Sequence, residues 1–367
     1  MKIVAGLGSL DEYIRYAEAG ADEFFCGYVP YSWSKKYGTV LPLNRREVLC
    51  YNVQLGAFSE LEILSEMVKK YGKPVHLTFN SLYYIPEQYP EIARIISRCM
   101  EIGFHSYIIA DPALIVYLRE NNVNCEIHLS GECGEINSQM VASLGKMRLK
   151  RVIFHRKNTF EDMKAVVDKC GNKELESITD VEKLTGWNPV TGCVLNSKEN
   201  EAEAEKIPEF EAFILNEMCQ FTGAFCNSLH CDELGYLCRV PYQLGTLKTE
   251  DASNKIFHHI IPGERQLSDD FAADDLTAST DFSYDSTGYL CGETGCGLCA
   301  LYQLKKAGIT HLKLVGRGNY TDYMEKDIRN LRAALEILDQ SVNEIDFKRQ
   351  IKNQIFPNGC SGNCYYQ

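Results

Sequence analysis

The sequence predicts an α/β fold, a (β/α) TIM-like barrel with a cysteine-rich region and inserted loops. Short apolar runs alternate with amphipathic segments through the first 160 residues, and the same pattern returns near residue 300. Repeated βα units need parallel strands joined by right-handed crossovers. Six or more units in a row favour a closed barrel, with an open doubly wound sheet as the alternative.

The individual elements follow from hydrophobic periodicity and from helix start and stop signals. Residues 3–8 (IVAGLG) predict a strand, 10–20 a helix that stops at Gly20, and 21–28 a second strand. The later segments repeat this alternation. They are strands at 74–80, 106–111, 125–130, 151–156, 210–216 and 311–317, and helices at 59–71, 90–102, 112–120, 135–144, 298–307 and 320–340.

Two regions interrupt the barrel pattern. We assign residues 1–320 to the barrel, including a cysteine-rich segment at 218–242 and a polar, acid-rich insertion at 248–286. Residues 321–367 form a C-terminal helix and a cysteine-containing tail. The acidic stretch 172–210 is interpreted as a solvated helix or an insertion on the rim.

Composition excludes several classes of protein. The chain has 367 residues, of which 45% are hydrophobic, and a net charge of -12. This charge favours a small molecule or a peptide over nucleic acid as the partner, because phosphate contacts need a surplus of Lys and Arg. The sequence has no apolar run of about 20 residues, so we expect no membrane association and a cytoplasmic location.

The sixteen cysteines carry most of the chemical information. In a reducing compartment they indicate metal ligands or redox groups more than disulfides. Groups of four thiolates select zinc or an iron–sulfur cluster. The six-residue gaps between Cys219 and Cys226 and between Cys231 and Cys238 are wider than the usual zinc knuckle, which favours a cluster.

Polar side chains at predicted strand ends are the candidate substrate-binding residues, because active sites of such barrels lie at the carboxyl ends of the strands. Arg156 and Arg317 are suited to a bidentate contact with a carboxylate or phosphate, with a rim salt bridge as the alternative role. His128 either contacts substrate or is held in place by hydrogen bonds. Asn80 offers an amide at the same mouth.

The chain resembles the collagenase-like peptidases, peptidase family U-32, across nearly its whole length. The most specific stretch is EAFILNEMCQFTGAFC, in which Glu211, Phe213, Met218, Cys219 and Cys226 occupy the acidic, aromatic, apolar and cysteine positions of the family signature. The segments CRVPY (238–242) and GLCALYQLKKAGITHLKLVGR (297–317) resemble its closing parts. Asn216 is one of several departures, since it stands where the signature has a glycine.

The resemblance implies an iron–sulfur protein. Family members of similar size, the ubiquinone-biosynthesis hydroxylases, carry a 4Fe-4S cluster on four cysteines, and larger relatives hydroxylate tRNA or ribosomal RNA without oxygen and use prephenate. Carried over to this chain, the expected ligands are Cys219, Cys226, Cys238 and Cys299. Further cysteines are alternative ligands or hold a second cluster: Cys231, Cys291, Cys296, Cys360 and Cys364.

The resulting expectation is an iron–sulfur enzyme, an oxygen-independent hydroxylase that acts on a small molecule, a peptide or an RNA base. A collagenase-like peptidase is the first alternative, although no protease nucleophile with an orienting base is evident in the sequence. A non-catalytic iron–sulfur partner that pairs with a second subunit of the same family is the other.

Overall fold

A computed structural model describes residues 1–38, 40–45, 53–134, 136–145, 147–171, 207–216 and 284–366. Cys219, Cys226, Cys231 and Cys238 lie outside these ranges, as do most of the acidic stretch 172–210 and of the insertion 248–286. The predictions made for those segments therefore remain predictions.

Eight parallel strands form a closed barrel, which confirms the predicted fold class. Each strand pairs with its neighbours in chain order, and the last strand pairs with the first through Lys2 and His311. A two-residue strand, β3 (Gln54–Leu55), adds to the side of β2. The barrel strands are β1 (Lys2–Leu7), β2 (Glu23–Tyr28), β4 (Val75–Phe79), β5 (Ser106–Ile109), β6 (Glu126–Leu129), β7 (Leu149–Ile153), β8 (Glu209–Leu215) and β9 (His311–Leu314).

Helices connect the strands and surround the barrel. Two short 3-10 helices, Gly131–Cys133 and Leu298–Ala300, lie at its C-terminal side. The α-helices in the described ranges are α1 (Glu12–Ala19), α2 (Tyr31–Tyr37), α3 (Phe58–Tyr71), α4 (Tyr89–Glu101), α5 (Pro112–Glu120), α6 (Ser138–Gly145), α7 (Phe160–Gly171), α8 (Leu301–Lys306), α9 (Thr321–Gln340) and α10 (Glu344–Gln354).

Several predicted boundaries agree with the structure because their signals are local. Gly20 ends α1 in the left-handed region at φ 116°, and its N–H caps the helix by donating to the carbonyls of Ala17 and Tyr16. Asp111 caps α5 by accepting from the N–H of Ala113 at 2.8 Å, and Pro112 occupies the first helical position. The role of Asp111 is thus structural.

The sequence did not predict α2, α7, α10 or β3. The region after α9 was assigned to a cysteine-containing tail, whereas α10 covers eleven residues of it. The signals were present: Asn343 caps the helix by accepting from the N–H of Asp346, and Phe347 and Ile351 are buried one turn apart.

The last long helix, α9, packs against α1 and β1. Arg15 of α1 bonds to Asp322 and Glu325 of α9, and Arg332 of α9 reaches Asp22 at 2.7 Å. The helix therefore takes the place of the helix that follows the last barrel strand. The predicted domain boundary between residues 320 and 321 places this helix outside the barrel domain, although the helix packs on the barrel.

A buried ion-pair network fills the N-terminal end of the barrel. Arg151 donates to Glu23 at 2.7 Å, to Glu209 at 2.8 Å and to Glu211 at 2.8 Å, and Lys313 donates to Glu211 at 3.0 Å. Burial alone would raise the pKa of Glu211, but Lys313 and Arg151 lower it to about 2. Charged, ion-paired side chains therefore fill this end of the barrel in place of the usual branched apolar side chains.

An apolar belt separates this network from the opposite, C-terminal end of the barrel, which we call the mouth. Its five side chains come from five different strands and form one buried cluster. They are Val4, Phe25, Ile108, Ile153 and Phe213. Among the described residues, no helix is long and apolar enough to span a bilayer.

Candidate functional site: barrel mouth and thiol cluster

Arg317 reaches into the mouth through space that two glycines leave open. A Cβ atom at Gly27 would stand 2.5 Å from its Nη1 atom, and one at Gly6 would stand 3.1 Å from its Cγ atom. The guanidinium donates to Oγ1 of Thr78 at 3.4 Å and lies 5.9 Å from the ring centroid of Phe25. The two strands that carry these glycines are thus shaped around this arginine.

A second arginine lies on the other aromatic ring of the apolar belt. The guanidinium carbon of Arg156 is 4.1 Å from the ring centroid of Phe213, a cation–π distance. Its Nη1 atom is 4.0 Å from Glu132, and Arg45 pairs with the same carboxylate at 3.0 Å. Sequence reasoning did not identify Arg45, because it lies in a loop between elements and carries no motif.

Two further polar residues shape the mouth around these arginines. Asn80 accepts a hydrogen bond from the backbone N–H of Arg45 at 3.1 Å, so it positions the loop that carries Arg45. His155 is 1% exposed, and in the described structure its Nε2 atom has no hydrogen-bond partner. Burial lowers the pKa of His155 to about 4, so its ring is neutral at neutral pH.

His128, a predicted substrate contact, lies deeper in the barrel. Its ring is 4.5 Å from the ring of His76, which bonds to Glu23 at 3.0 Å in the ion-pair network. Burial, with His76 and Arg151 nearby, lowers the pKa of His128 well below its usual value. The structure therefore places Arg156, Arg317 and Asn80 around the mouth and His128 apart from them.

Four cysteines from two distant parts of the chain line one cavity beside the barrel. Cys296 and Cys299 come from the loop and 3-10 helix after residue 290, and Cys360 and Cys364 come from the C-terminal tail. We call these four residues the thiol cluster. The cavity has a volume of about 30 Å³ and is also lined by Phe356. Sequence analysis grouped Cys296, Cys360 and Cys364 as alternative or second-cluster ligands, but it assigned Cys299 to the first cluster and included Cys291, which does not line this cavity.

The tail is attached to the 292–296 loop by backbone hydrogen bonds. Cys296 donates to the carbonyl of Asn363 at 2.8 Å and accepts from the N–H of Tyr365 at 2.8 Å, which makes Cys296 and Cys364 bridge partners. The hydroxyl of Ser361 adds a bond of 2.7 Å to the carbonyl of Gly292. A single parallel β-bridge thus holds the tail beside the loop.

The same loop is joined to the end of β8, directly before the cysteine-rich segment 218–242. Gly297 donates to the carbonyl of Ile214 at 2.7 Å, and Asn216 donates to the carbonyl of Gly295 at 2.9 Å. The chain therefore enters the cysteine-rich segment from a point next to the thiol cluster.

Burial keeps the buried thiols of Cys296 and Cys299 protonated in the absence of a metal. Burial, with Cys299, Cys364 and Cys360 nearby, raises the pKa of Cys296 to about 12. Burial and the same tail cysteines also raise the pKa of Cys299. A bound metal would displace these protons.

The four thiols line their cavity without surrounding a single point. Within the ranges that the structure describes, no three His, Cys, Asp or Glu side chains form a group that could hold a metal ion. Cys291 is buried nearby next to Asp327 and Tyr289 and does not line the cavity.

The thiol cluster is connected to the mouth through the tail. Tyr365, next to Cys364, packs against the apolar belt, and the hydroxyl of Tyr366 donates to the carbonyl of Phe213 at 2.7 Å. A group bound by Cys364 would therefore lie next to Tyr365, which packs against the apolar belt of the mouth.

These features define a (β/α) barrel protein with a cationic mouth and an adjoining cluster of thiols. Residues 8–179 match the family model of peptidase family U32. The resemblance to that family, inferred from the sequence, is confirmed for this N-terminal part of the chain.

Two relatives of the chain, from two bacteria, share one name. The chain is 28% identical over 164 residues to tRNA hydroxylation protein P of Escherichia coli. The matched region covers 44% of this chain and 32% of the relative. It is 25% identical over 176 residues to the protein of that name from Haemophilus influenzae, covering 48% and 34%. The chain thus matches about a third of the length of these relatives.

A solved structure also shows partial similarity to the chain. The structure of the U32 peptidase Mk0906 aligns with a TM-score of 0.39 and 10% identity, covering 61% of this chain and 73% of the other.

Proposed function

We propose that this protein is an enzyme, an oxygen-independent hydroxylase that acts on a tRNA base with the help of an iron–sulfur cluster. The observation that carries the proposal is the match to two relatives named for tRNA hydroxylation. It reverses the preference for a small-molecule or peptide substrate, which rested on the acidity of the chain. A net charge of -12 does not prevent a local cationic surface.

The mouth has the chemistry that such a substrate needs. Arg156 and Arg317 present guanidinium groups beside the rings of Phe213 and Phe25, an arrangement that suits a planar, anionic ligand. They are equally suited to the carboxylates of a prephenate-like co-substrate, which the family resemblance implies. Neutral His155 adds a buried nitrogen that can accept or donate a hydrogen bond there.

The residues present fit an iron–sulfur cluster as cofactor. Cys219, Cys226, Cys238 and Cys299 are its proposed ligands, with Cys231 as the alternative. Only Cys299 lies in the described ranges, and there it is half-buried at a cavity lined by further soft thiolate donors. When bound, a cluster supplies electron transfer or Lewis-acid chemistry beside the mouth.

The residues of the chain would bind and orient the substrate. Arg156 and Arg317 would hold its anionic groups, and the apolar belt beneath them would keep water from the reacting carbon. Asn80 would fix the loop that carries Arg45 through its bond to the backbone of that residue.

Anaerobically purified and reconstituted protein, incubated with unmodified tRNA and prephenate, tests the proposal. We expect digestion and mass spectrometry to show a nucleoside that is heavier by one oxygen atom. The variant Arg317→Gln should lose most of this product. The variant Arg349→Gln, at an exposed position on α10, should retain it.

Unmodified tRNA after incubation with the cluster-loaded protein would contradict the proposal. Casein added to a parallel sample tests the peptidase alternative directly. Product formation only after a second family subunit is added would instead support the role of a non-catalytic partner.

A further inference from the structure

We infer that three tyrosines on the edge of the mouth form a stacking surface for single-stranded RNA. They are Tyr31, Tyr83 and Tyr320, which we call the rim tyrosines. The inference rests on the proposed function for the presence of an RNA substrate. It assigns to these aromatic rings the affinity that a basic surface supplies in many other RNA-binding proteins.

The acidity of the chain limits how much affinity for RNA its charges can provide. Contacts of Lys and Arg with phosphates release counterions from the nucleic acid, and this release dominates the affinity of basic proteins. The net charge of this chain is -12. Stacking of unpaired bases on aromatic side chains is the other main source of affinity, and it needs no positive charge. An acidic protein that binds RNA therefore needs exposed aromatic rings.

The rim tyrosines are the three most exposed tyrosines in the part of the chain that the structure describes. The exposed fraction is 73% for Tyr31, 65% for Tyr83 and 78% for Tyr320. A single exposed aromatic ring is ordinary on a protein surface. Three such rings on loops at one end of the barrel form a concentrated surface of flat apolar faces, which unpaired bases fit.

The strand order places the three loops side by side. Tyr320 follows β9, Tyr31 follows β2 and Tyr83 follows β4, each shortly after the end of its strand. In the barrel β9 pairs with β1, β1 with β2, and β2 with β4. At a strand spacing of about 4.8 Å, the outermost of these strand ends lie roughly 15 Å apart. One continuous stretch of the edge therefore carries all three tyrosines.

The same stretch of the edge carries an arginine of the mouth. Arg317 lies in the loop of Tyr320, and its guanidinium donates to Oγ1 of Thr78 on β4 at 3.4 Å. It thus reaches across the strands between the outermost rim tyrosines. Enzymes that modify a base act on an unpaired or extruded base. A strand of RNA stacked on the rim tyrosines presents its bases next to this arginine.

Packing positions two of the rim tyrosines while most of each side chain stays exposed. The ring of Tyr31 lies against the backbone of Gly56, where a Cβ atom would stand 3.0 Å from its Cζ atom. Tyr320 packs edge to face against Tyr323, with ring centroids 5.6 Å apart. A ring that is already positioned loses little conformational entropy when a base stacks on it.

Fluorescence anisotropy of the full-length protein with a labelled, unstructured RNA of roughly ten nucleotides tests the inference. We expect Tyr31→Ala, Tyr83→Ala and Tyr320→Ala each to raise the Kd roughly 5- to 150-fold, the range for loss of one stacked base. Phenylalanine at the same positions keeps the ring and should keep the Kd within about twofold of the wild type.

Tyr71→Ala is the matched control. Tyr71 is 39% exposed at the end of α3, directly before β4 and thus at the opposite end of the barrel from the mouth. Its replacement should leave the Kd unchanged. An equal rise of the Kd in this variant and in the rim variants would overturn the inference, because the loss would not depend on the rim.

The salt dependence of the same Kd separates stacking from charge. Each phosphate contact with a single strand adds about -0.7 to the slope of log K against log salt. We expect a slope no steeper than about -2, which corresponds to roughly three contacts. A steeper slope, together with unchanged Kd values in the alanine variants, would show that the protein binds phosphates and would overturn the inference.

The outcomes separate this inference from the proposed function. A wild-type Kd in the triple alanine variant, with tRNA still hydroxylated by the wild type, would overturn the inference and leave the proposed function in place. Loss of RNA binding in this variant, with no hydroxylated nucleoside formed by the wild type, would support the stacking surface and contradict the hydroxylase. Unchanged RNA binding with loss of binding to a second family subunit would make the rim a protein interface and overturn the inference.

Discussion

Asn216 donates a hydrogen bond from its side-chain nitrogen to Oδ2 of Asp327 at 2.8 Å. Asn216 directly follows β8 and has a left-handed backbone, at φ 68°, and Asp327 lies on α9 with 4% of its surface exposed. The hydroxyl of Tyr289 donates to the other carboxylate oxygen at 2.7 Å. This buried carboxylate therefore joins the end of β8, helix α9 and the loop that leads to the thiol cluster.

Replacement of Asn216 should reveal two separate contributions. Asn216→Gly keeps the left-handed backbone and removes the bond to Asp327, which should lower the free energy of unfolding by about 1–3 kcal/mol. Asn216→Ala should lose about 1 kcal/mol more, because alanine is strained at this φ. Urea denaturation measures both.

Asn122 offers a matched control for the backbone effect. It also has a left-handed backbone, at φ 57°, but its side chain is exposed at the end of α5. Asn122→Gly should change stability by a few tenths of a kcal/mol at most. A similar loss for Asn216→Gly would show that the bond to Asp327 contributes nothing.

Asn216 also shows what the sequence could and could not predict. An asparagine at a signature glycine was a departure from the family pattern when only residue types were compared. The backbone explains it, because asparagine tolerates the left-handed region better than other residues with a side chain. The bond to Asp327 joins positions 111 residues apart, and no local pattern indicates it.

Local signals predicted the eight barrel strands and most of the helices, whereas the contacts that form the sites depend on pairing between distant parts of the chain. Glu23 and Glu211 appear in the sequence as polar residues on apolar strands. Only the closed parallel register brings them to Arg151. The thiol cluster is a similar case, since its members come from segments whose contact depends on how α10 returns the tail.

Gly27→Ala should impair the mouth without unfolding the barrel. The added Cβ atom would stand 2.5 Å from Nη1 of Arg317, so the guanidinium must shift. We expect binding of prephenate, measured by calorimetry, to weaken tenfold or more, because a misplacement of about 1 Å can cost 100-fold in function. Gly145→Ala on α6, where no heavy atom of the described structure lies within 4 Å, should bind as the wild type does. Equal prephenate binding by both variants would show that Arg317 does not contribute to the binding site.

Arg151→Met should destabilise the protein by about 3–5 kcal/mol, because it removes the buried cation that three carboxylates share. Glu211 is fully buried, and Glu23 is 3% exposed. Lys164→Met removes an exposed i,i+4 pair with Asp168 and should cost less than about 0.5 kcal/mol. Urea denaturation compares the two. Similar losses would mean that the buried network contributes no more than a surface pair.

Acid should destabilise the protein in two separate pH ranges. His155 is neutral in the folded protein because burial lowers its pKa from 6.5 to about 4. As pH falls through this range the unfolded chain takes up the proton first, so stability is lost, by roughly 3 kcal/mol for a shift of this size. Below pH 4.5 the loss continues toward pH 2, because Glu211 stays ionised only in the folded state.

Urea denaturation at half-unit intervals from pH 7 to pH 3.5 would resolve the first of these ranges. His155→Gln removes the titrating ring, so its free energy of unfolding should fall less steeply than that of the wild type between pH 6.5 and pH 4. His105→Gln, at an exposed position before β5, should follow the wild-type curve. If the curve of His155→Gln runs parallel to that of the wild type, His155 takes up its proton equally in both states, and the steepness must come from His76 and His128, whose pKa values burial also lowers.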